Sequence, residues 1–454
     1  MDNIIIPEKK VAAYEKTQVL VVGGGPAGIG AAISASRQGC ETMLLEKRGF
    51  LGGNITGSYV ESCNYFMRDT GFTPEGTYAD MEQKYQSIYP KMDIRPNAPH
   101  RFHSEYLKVF LDDFLAVENV KVKLHSFVND VVMRDGAIQA VIIQTKNGPQ
   151  AIEADMVIDC TGDGDVAFAC KVPFSQGRES DGLCQPGTVS LRLCGADTQQ
   201  LLQGEDGLTV IGREFHQAYK KGTAGLSCKR QDLPFGRLTQ AGQISYVNYA
   251  CAYGINPVDV DDLTRGEMEC RKYIMEIYQY LKTQHQGLEN IEIASMSPEI
   301  GFRDSRRIRG EYQLTIDDME GNKHFEDCVS VYPRFYDMLS PDANMDGDGK
   351  VEGKGYHGHI YEPITDQRTF QIPYRSLLPV NMDNLLVAGR CISCEHVAQS
   401  GVRAISLCMM TGDVAGIAAS IAQKQQTSPK NIQVRQLQQL LMEQGFTIPI
   451  LNKS

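Results

Sequence analysis

The run Gln18-Val-Leu-Val-Val22 is short and β-branched, and Gly23-Gly-Gly-Pro-Ala-Gly28 follows it at once. No other feature restricts the fold of this chain more. Ile29 to Gln38 then has helical composition with small residues on one face, and a second apolar run, Thr42-Met-Leu-Leu-Glu46, ends in an acid eighteen residues after Gly28. Strand, glycine turn, helix, strand and acid together make a βαβ dinucleotide-binding unit. Gly23 permits the tight turn, Gly25 lets the backbone approach a pyrophosphate, and Gly28 lets helix and strand pack closely. The helix N-terminus offers N–H groups to the anion, and Glu46 can accept from a ribose hydroxyl. G-x-G-x-x-G alone occurs by chance in glycine-rich loops; the flanking strand, helix and acid distinguish this one.

Further along, Ser104–Glu118 has a helical pattern, with Ser104 as the expected N-cap. Val120–Leu124, Val128–Met133, Ile138–Thr145 and Met156–Ile158 read as strands, with Asp135-Gly136 and Asn147-Gly148 as hairpin turns. Asp159-Cys-Thr-Gly-Asp-Gly-Asp165 closes that segment. From about 173 to 375 the pattern is less regular, with helices expected near 209–221 and 262–284, as in a domain inserted into the first. Asp383–Ala388 is again a buried strand and Val402–Gln423 a long apolar helix.

Composition removes several function classes. With 454 residues, 42% hydrophobic and 22% charged, the chain is globular and long enough for two or three domains. Its 45 Lys and Arg against 56 Asp and Glu give a net charge of −11, which argues against nucleic-acid and anionic-membrane partners. No apolar run in the sequence approaches the ~20 residues of a membrane span, and Met1–Lys10 is charged where a signal peptide is apolar. A cytoplasmic protein with mostly reduced thiols is expected, and thirteen cysteines cannot all pair within one chain.

Three separated motifs now combine: Val21-Val-Gly-Gly-Gly-Pro-Ala-Gly28 with Glu46-Lys47, Asp159-Cys-Thr-Gly-Asp-Gly-Asp165, and Asn384-Leu-Leu-Val-Ala-Gly-Arg390. Together they resemble the FAD-dependent oxidoreductases of the glutathione-reductase/fumarate-reductase superfamily, and most nearly the broad bacterial FAD-dependent oxidoreductase family. That likeness also takes in Leu51-Gly-Gly-Asn54, Gly301-Phe-Arg-Asp-Ser-Arg-Arg-Ile-Arg-Gly310 and Ile372-Pro-Tyr-Arg-Ser376, and spans residues 17–424. It implies an α/β fold: a Rossmann-like FAD-binding domain split between both chain ends, with an inserted α+β substrate (cap) domain. The expected parts are 1–172 and 376–424 for the FAD domain, 173–375 for the insertion and 425–454 for a tail.

The resemblance implies that Gly23, Gly25, Pro26, Ala27 and Gly28 line the pyrophosphate and Glu46 the ribose. Lys47, Gly52, Gly53 and Asn54 would lead toward the flavin, Val128 would bracket the adenine, and Thr161 and Gly162 would form a second cofactor turn. Gly389 and Arg390 would lie by the ribityl chain, and Val402, Arg403, Ala404 and Ile405 would face the flavin pyrimidine, whose developing negative charge a helix N-terminus stabilises. Arg390 departs from the acid that many members carry there. Gly49–Gly57 lacks the His of covalently flavinylated relatives, so FAD is expected to be non-covalent. Only one dinucleotide fingerprint is present, so electrons come from an organic substrate, a partner protein or a transient nicotinamide.

The expected activity is hydride transfer between FAD and a small organic metabolite, carboxylated or hydroxylated. Arg303, His359, His396 and Arg403 are its candidate catalytic residues. Arginine forks suit carboxylates, although the Arg303-to-Arg307 run could equally form a structural ion network with Asp304 and Glu311. Cys391-Ile-Ser-Cys394 admits three readings: a packed turn, a redox dithiol exchanging electrons with FAD, or half a metal site. A flavin-binding electron-transfer subunit of a larger complex is a further alternative. Asp342, Asn344, Asp346 and Asp348 have the alternating oxygens of a calcium loop, but Gly353 stands where such a loop needs a bidentate Glu. A small-molecule substrate and a homo-oligomer complete the expected partners.

Overall fold

The computed structural model describes residues 10–61, 63, 72–96, 98–334, 336–342, 358–360 and 369–449. Its larger sheet is built from Ala13–Val22 (β1), Thr42–Leu45 (β2), Lys121–Lys123 (β3), Phe127–Arg134 (β4), Ala137–Thr145 (β5) and Gly148–Asp159 (β6) in the order β3-β2-β1-β6-β5-β4. β1, β2, β3 and β6 run parallel, whereas β4, β5 and β6 form antiparallel hairpins. Asp135 and Gly136 take φ of 51° and 81°, the left-handed pair that Asp-Gly supplies to a tight hairpin turn.

Helices Pro26–Arg37 (α1), Asn54–Gly57 (α2), Gly76–Ile88 (α3), Ser104–Val117 (α4) and Asp165–Ala169 (α5) pack around this sheet. Ser104 is not the N-cap of α4. His103 caps it, its Nδ1 accepting from the Glu105 amide at 3.2 Å, while the Ser104 hydroxyl donates to Glu61.

Phe174–Gln176 (β7) pairs antiparallel with Arg306–Ile308 (β11). Gly187–Cys194 (β8), Ile244–Ala252 (β9) and Glu292–Met296 (β10) form an antiparallel sheet with β8 central. Helices Thr198–Leu201 (α6), Gly207–Lys220 (α7) and Val260–Gln284 (α8) accompany it. Buried residues between 189 and 302, with Leu339, make one hydrophobic core. Residues 308–332 and 370–378, which include Ile316–Glu320 (α9) and the pair Cys328–Pro333 (β12) and Thr369–Pro373 (β15), pack into the core of the larger sheet. Tyr336–Met338 (β13) pairs with Gly358–Ile360 (β14).

The chain then returns. Leu385–Val387 (β16) adds to the last residues of β6, beyond the stretch that pairs with β5. The long helix expected from Val402 runs over Ile405–Gln425 (α11) and is preceded by His396–Val402 (α10), with a break at Arg403-Ala404. By length and composition α11 could cross a membrane, contrary to the expectation that no stretch could, yet 94% of that window is buried inside the fold, as in a core helix. It packs on α1 through glycines, since a Cβ on Gly412 would stand 2.0 Å from the Ala27 carbonyl oxygen and one on Gly416 2.3 Å from that of Ala31. Val434–Glu443 (α12) follows and buries Leu437 and Leu441.

A candidate flavin cleft between the two sheets

Strand register brings the three motifs together. β1 aligns Val22 with Asp159 of β6, and β16 aligns Val387 with the same residue. The loops that start at Gly23, Cys160 and Ala388 therefore leave the carboxyl edge of adjacent parallel strands, where open α/β sheets bind ligands. All three contribute to one cleft between the sheets. Asp159 fastens the middle loop: its Oδ1 accepts from the Thr161 amide and hydroxyl at 3.1 and 2.7 Å, its Oδ2 from the Ala167 amide at 2.9 Å, and burial raises its pKa to about 6.

Among the expected cofactor residues, Gly23, Gly25, Pro26, Ala27, Glu46, Lys47, Gly53, Asn54 and Val128 line the cleft. So do Thr161, Gly162, Gly389, Arg390, Arg403, Ala404 and Ile405. Gly28, Gly52 and Val402 do not. Gly28 is a packing residue, because a Cβ there would lie 1.7 Å from the Gly23 carbonyl oxygen, and Gly52 fits against Thr56. Val402 is fully buried in α10. Glu46 is held from two sides, Oε2 accepting from the Gly24 amide at 2.7 Å and Oε1 from the Arg48 amide at 2.8 Å. Each oxygen keeps a lone pair for a hydroxyl.

The cleft suits an anionic dinucleotide. α1 and α11 both open onto it, and neither N-terminus is capped by a side chain, so their first N–H groups are left for a ligand. Arg390, in place of the usual acid, donates to the Phe302 carbonyl at 3.2 Å and meets Asp163 at 3.3 Å. Asp163 lines the cleft and was not singled out from sequence. Burial opposes its ionisation, but Arg390 and Lys47 outweigh this and hold its carboxyl below the usual range.

The far end of the cleft is built by the second sheet and α10. Arg303 and Arg403 both line it. Arg403 meets Asp337 at 3.0 Å; burial lowers its pKa, and Asp337 and Arg303 act in opposite senses on it. Arg303 donates to the Pro186 carbonyl at 3.0 Å and has no carboxylate partner among the described residues. His396 lies off the cleft wall: it is fully buried, its Nδ1 3.2 Å from Asp304 Oδ2, because α10 turns it into the protein. His359 stands opposite Asp337 in the β13–β14 register. Thr188, Tyr246, Asn248 and Phe302 also reach the cleft, and no motif in the sequence marks the first three.

The thiols do not form a redox centre at this cleft. Cys391 and Cys394 are buried, line no part of it, and donate to the Ala388 and Ile392 carbonyls. Burial raises both pKa values, that of Cys394 to about 12, which disfavours the thiolate that a redox dithiol uses. All thirteen cysteines are free, and no cluster of potential metal ligands occurs among the described residues. Of the calcium-loop candidates, Asp342 is engaged by Ser340 and Arg178. Asn344, Asp346 and Asp348 lie outside the described residues.

Fold and cleft define a flavin-dinucleotide enzyme. The chain belongs to the FAD dependent oxidoreductase family, whose model matches residues 18–441. It is 26% identical over 159 residues to a tRNA uridine 5-carboxymethylaminomethyl modification enzyme MnmG from Streptococcus agalactiae serotype III (strain NEM316), a match covering 33% of this chain and 24% of the relative. It is 31% identical over 121 residues to the flavin-dependent halogenase armH3 of Armillaria mellea, covering 24% of each. The matches thus span about a quarter of those relatives. Among solved structures, it is similar to a geranylgeranyl bacteriochlorophyll reductase-like protein from Thermoplasma acidophilum, with 14% identity, a TM-score of 0.45 and coverage of 95% and 84% of the two chains. The myxobacterial chondrochloren halogenase CndH gives 10%, 0.47, and 94% and 78%.

Proposed function

We propose that the protein transfers a hydride between a small carboxylated metabolite and non-covalently bound FAD. The observation that carries this reading is Arg303, a cleft-lining guanidinium with no carboxylate partner among the described residues, placed near Arg403. Asp337 answers the charge of Arg403, whereas Arg303 meets only a backbone carbonyl and keeps its charge for an anion. A carboxylate is such an anion and matches the planar fork.

When bound, the flavin supplies the two-electron chemistry. In this reading the chain's own groups divide the remaining work. The backbone at Gly23 and Gly25 and the first amides of α1 hold the pyrophosphate, and Glu46 accepts from the adenosine ribose. Thr161, Gly162 and Gly389 adjoin the rest of the cofactor, and the first amides of α11 meet the charge that develops on the pyrimidine ring. Arg303 and Arg403 orient the substrate carboxylate.

Anaerobic titration of the holoprotein with carboxylic acids and their neutral amides tests this. Acids should reduce or perturb the flavin where amides do not, and Arg303→Ala should weaken the effect by about 10- to 150-fold, as expected for loss of a charge-assisted hydrogen bond. Dithionite should still reduce the variant. Equal response to acids and amides, or normal substrate reduction in Arg303→Ala, would overturn the reading.

A further inference from the structure

β9 is irregular where it meets the cleft. Opposite β8 it pairs Ile244 with Leu193, Val247 with Leu191 and Ala250 with Val189, so it carries one extra residue in each of two successive steps. Bulges of this kind re-aim side chains. Tyr246 lies in the first with φ of 51°, a left-handed conformation that aromatic residues rarely adopt, and Asn248 lies in the second. Both residues line the cleft.

Their hydrogen bonding is incomplete in a specific way. Asn248 Nδ2 donates to the Tyr246 hydroxyl at 2.9 Å. That leaves Asn248 Oδ1 without a partner although the residue is only 2% exposed. The Tyr246 oxygen is occupied as an acceptor, but its own hydrogen has no acceptor among the described residues. One acceptor and one donor, joined to each other, are thus presented at the cleft. Buried polar atoms seldom stay unpaired, so a ligand that offers no donor leaves Asn248 Oδ1 unsatisfied.

Arg303 belongs to the same frame. Gly301 and Thr188 exchange backbone hydrogen bonds at 3.0 and 2.8 Å, which ties the Gly301-Phe302-Arg303 loop to β8, the neighbour of β9. A hydroxyl meets both groups through a single atom, donating to Asn248 Oδ1 and accepting from the Tyr246 hydroxyl, whereas a primary amide needs two atoms to do so. A carbonyl cannot donate, and an ammonium cannot accept and would add a third positive charge beside the two arginines.

We propose that Tyr246 and Asn248 form a hydroxyl-reading subsite, and that the substrate is a small hydroxycarboxylic acid whose carboxylate lies at Arg303. This rests on the carboxylate reading above and adds the second functional group. In the oxidative direction the C–H and O–H bonds of the carbinol break and a C=O bond forms. The hydride carries its electron pair to the flavin, and the proton leaves to water.

The test uses holoprotein and matched pairs differing only in the hydroxyl: glycolate and acetate, lactate and propionate, malate and succinate, 3-hydroxybutyrate and butyrate. Binding is read from the flavin absorbance under anaerobic conditions. In at least one pair the hydroxy acid should bind on the order of tenfold or more tightly than its partner and should reduce the flavin. Asn248→Leu should bring the two members within about twofold of each other, whereas Arg303→Ala should weaken both alike. Asn248→Ser and Tyr246→Phe serve if the leucine variant does not retain flavin, and each should narrow the preference. If acids bind with no preference for the hydroxyl, or the variants keep it, the hydroxyl subsite is overturned while the carboxylate reading stands. If no acid perturbs the flavin, both fall.

Discussion

Gly25 and Gly28 stand three residues apart in one turn, yet a methyl group added to each meets different surroundings. At Gly25 the nearest atom is the Gly53 Cα at 3.6 Å and the space beyond is cleft, whereas at Gly28 the Gly23 carbonyl oxygen lies 1.7 Å away. Gly25→Val should therefore fold with nearly unchanged apoprotein melting but purify without FAD. Gly28→Ala must push α1 from β1 and should lose several kcal/mol, on the scale of overpacked cores. Flavin content by acid release and melting of the apoproteins check the pair: stoichiometric FAD in the first, or wild-type stability in the second, would refute the division of roles. This motif is legible in sequence because turn, helix start and acid are local. Tyr246 and Asn248 are not, because they reach the cleft through bulges that depend on how β9 pairs with β8. His396 stands next to a cofactor motif in sequence, and α10 turns it inward against Asp304, which only the fold shows.

The element whose position most affects the cleft is α11, since its N-terminus forms one wall and its body packs on α1. Apolar composition marked it in the sequence with a start at Val402, and the break at Arg403-Ala404 moves that start to Ile405. One acidic residue interrupts its buried length. Asp413 is fully buried and accepts from Ser34 Oγ at 2.7 Å, Thr77 Oγ1 at 2.6 Å and the Thr77 amide at 3.0 Å, which joins α11 to α1 and α3. Burial nevertheless raises its pKa from 3.8 to about 6. A carboxyl whose folded pKa is raised favours folding when protonated. Its stabilising contribution is complete below pH 3.8 and is lost as pH rises through 6, a change of about 3 kcal/mol by linkage. Asp413→Asn cannot ionise, so its stability relative to wild type should improve by about that amount between pH 4 and pH 7. Denaturant unfolding at the two pH values measures it, and a difference independent of pH would show that Asp413 ionises freely in the folded protein.

At the scale of the whole molecule, the cleft lies between two hydrophobic cores, so its geometry depends on what fixes one against the other. A buried ion cluster spans that junction. Glu61, which follows α2, accepts from Arg192 of β8 at 2.7 Å and from Arg237 at 3.0 Å, and Arg237 donates to the Phe102 carbonyl beside the α4 cap. Burial opposes ionisation of Glu61, but Arg237 and Arg192 outweigh it and bring its pKa from 4.5 to about 2. Burial and then Arg237 lower that of neighbouring His103 from 6.5 to about 4. Both shifts are depressions, so both contributions are present above the unfolded pKa values and are lost on acidification, that of His103 below pH 6.5 and that of Glu61 between 4.5 and 2. Removing the anion leaves buried Arg237 without a carboxylate and Arg192 with Glu105 alone, which costs about 3–5 kcal/mol in comparable clusters, while replacing the cluster with apolar residues is often neutral. Glu61→Gln should thus destabilise the protein by that amount at pH 7 and flatten its acid dependence below pH 4.5. Because the cluster joins the two cores, the loss should also split one calorimetric transition into two. The triple variant Glu61→Leu, Arg192→Met, Arg237→Met should recover most of the stability. A single unshifted transition for Glu61→Gln would mean that the cores are held together by packing alone, and the cleft would then owe its shape to β11, β7 and the Gly301 loop instead of to charge.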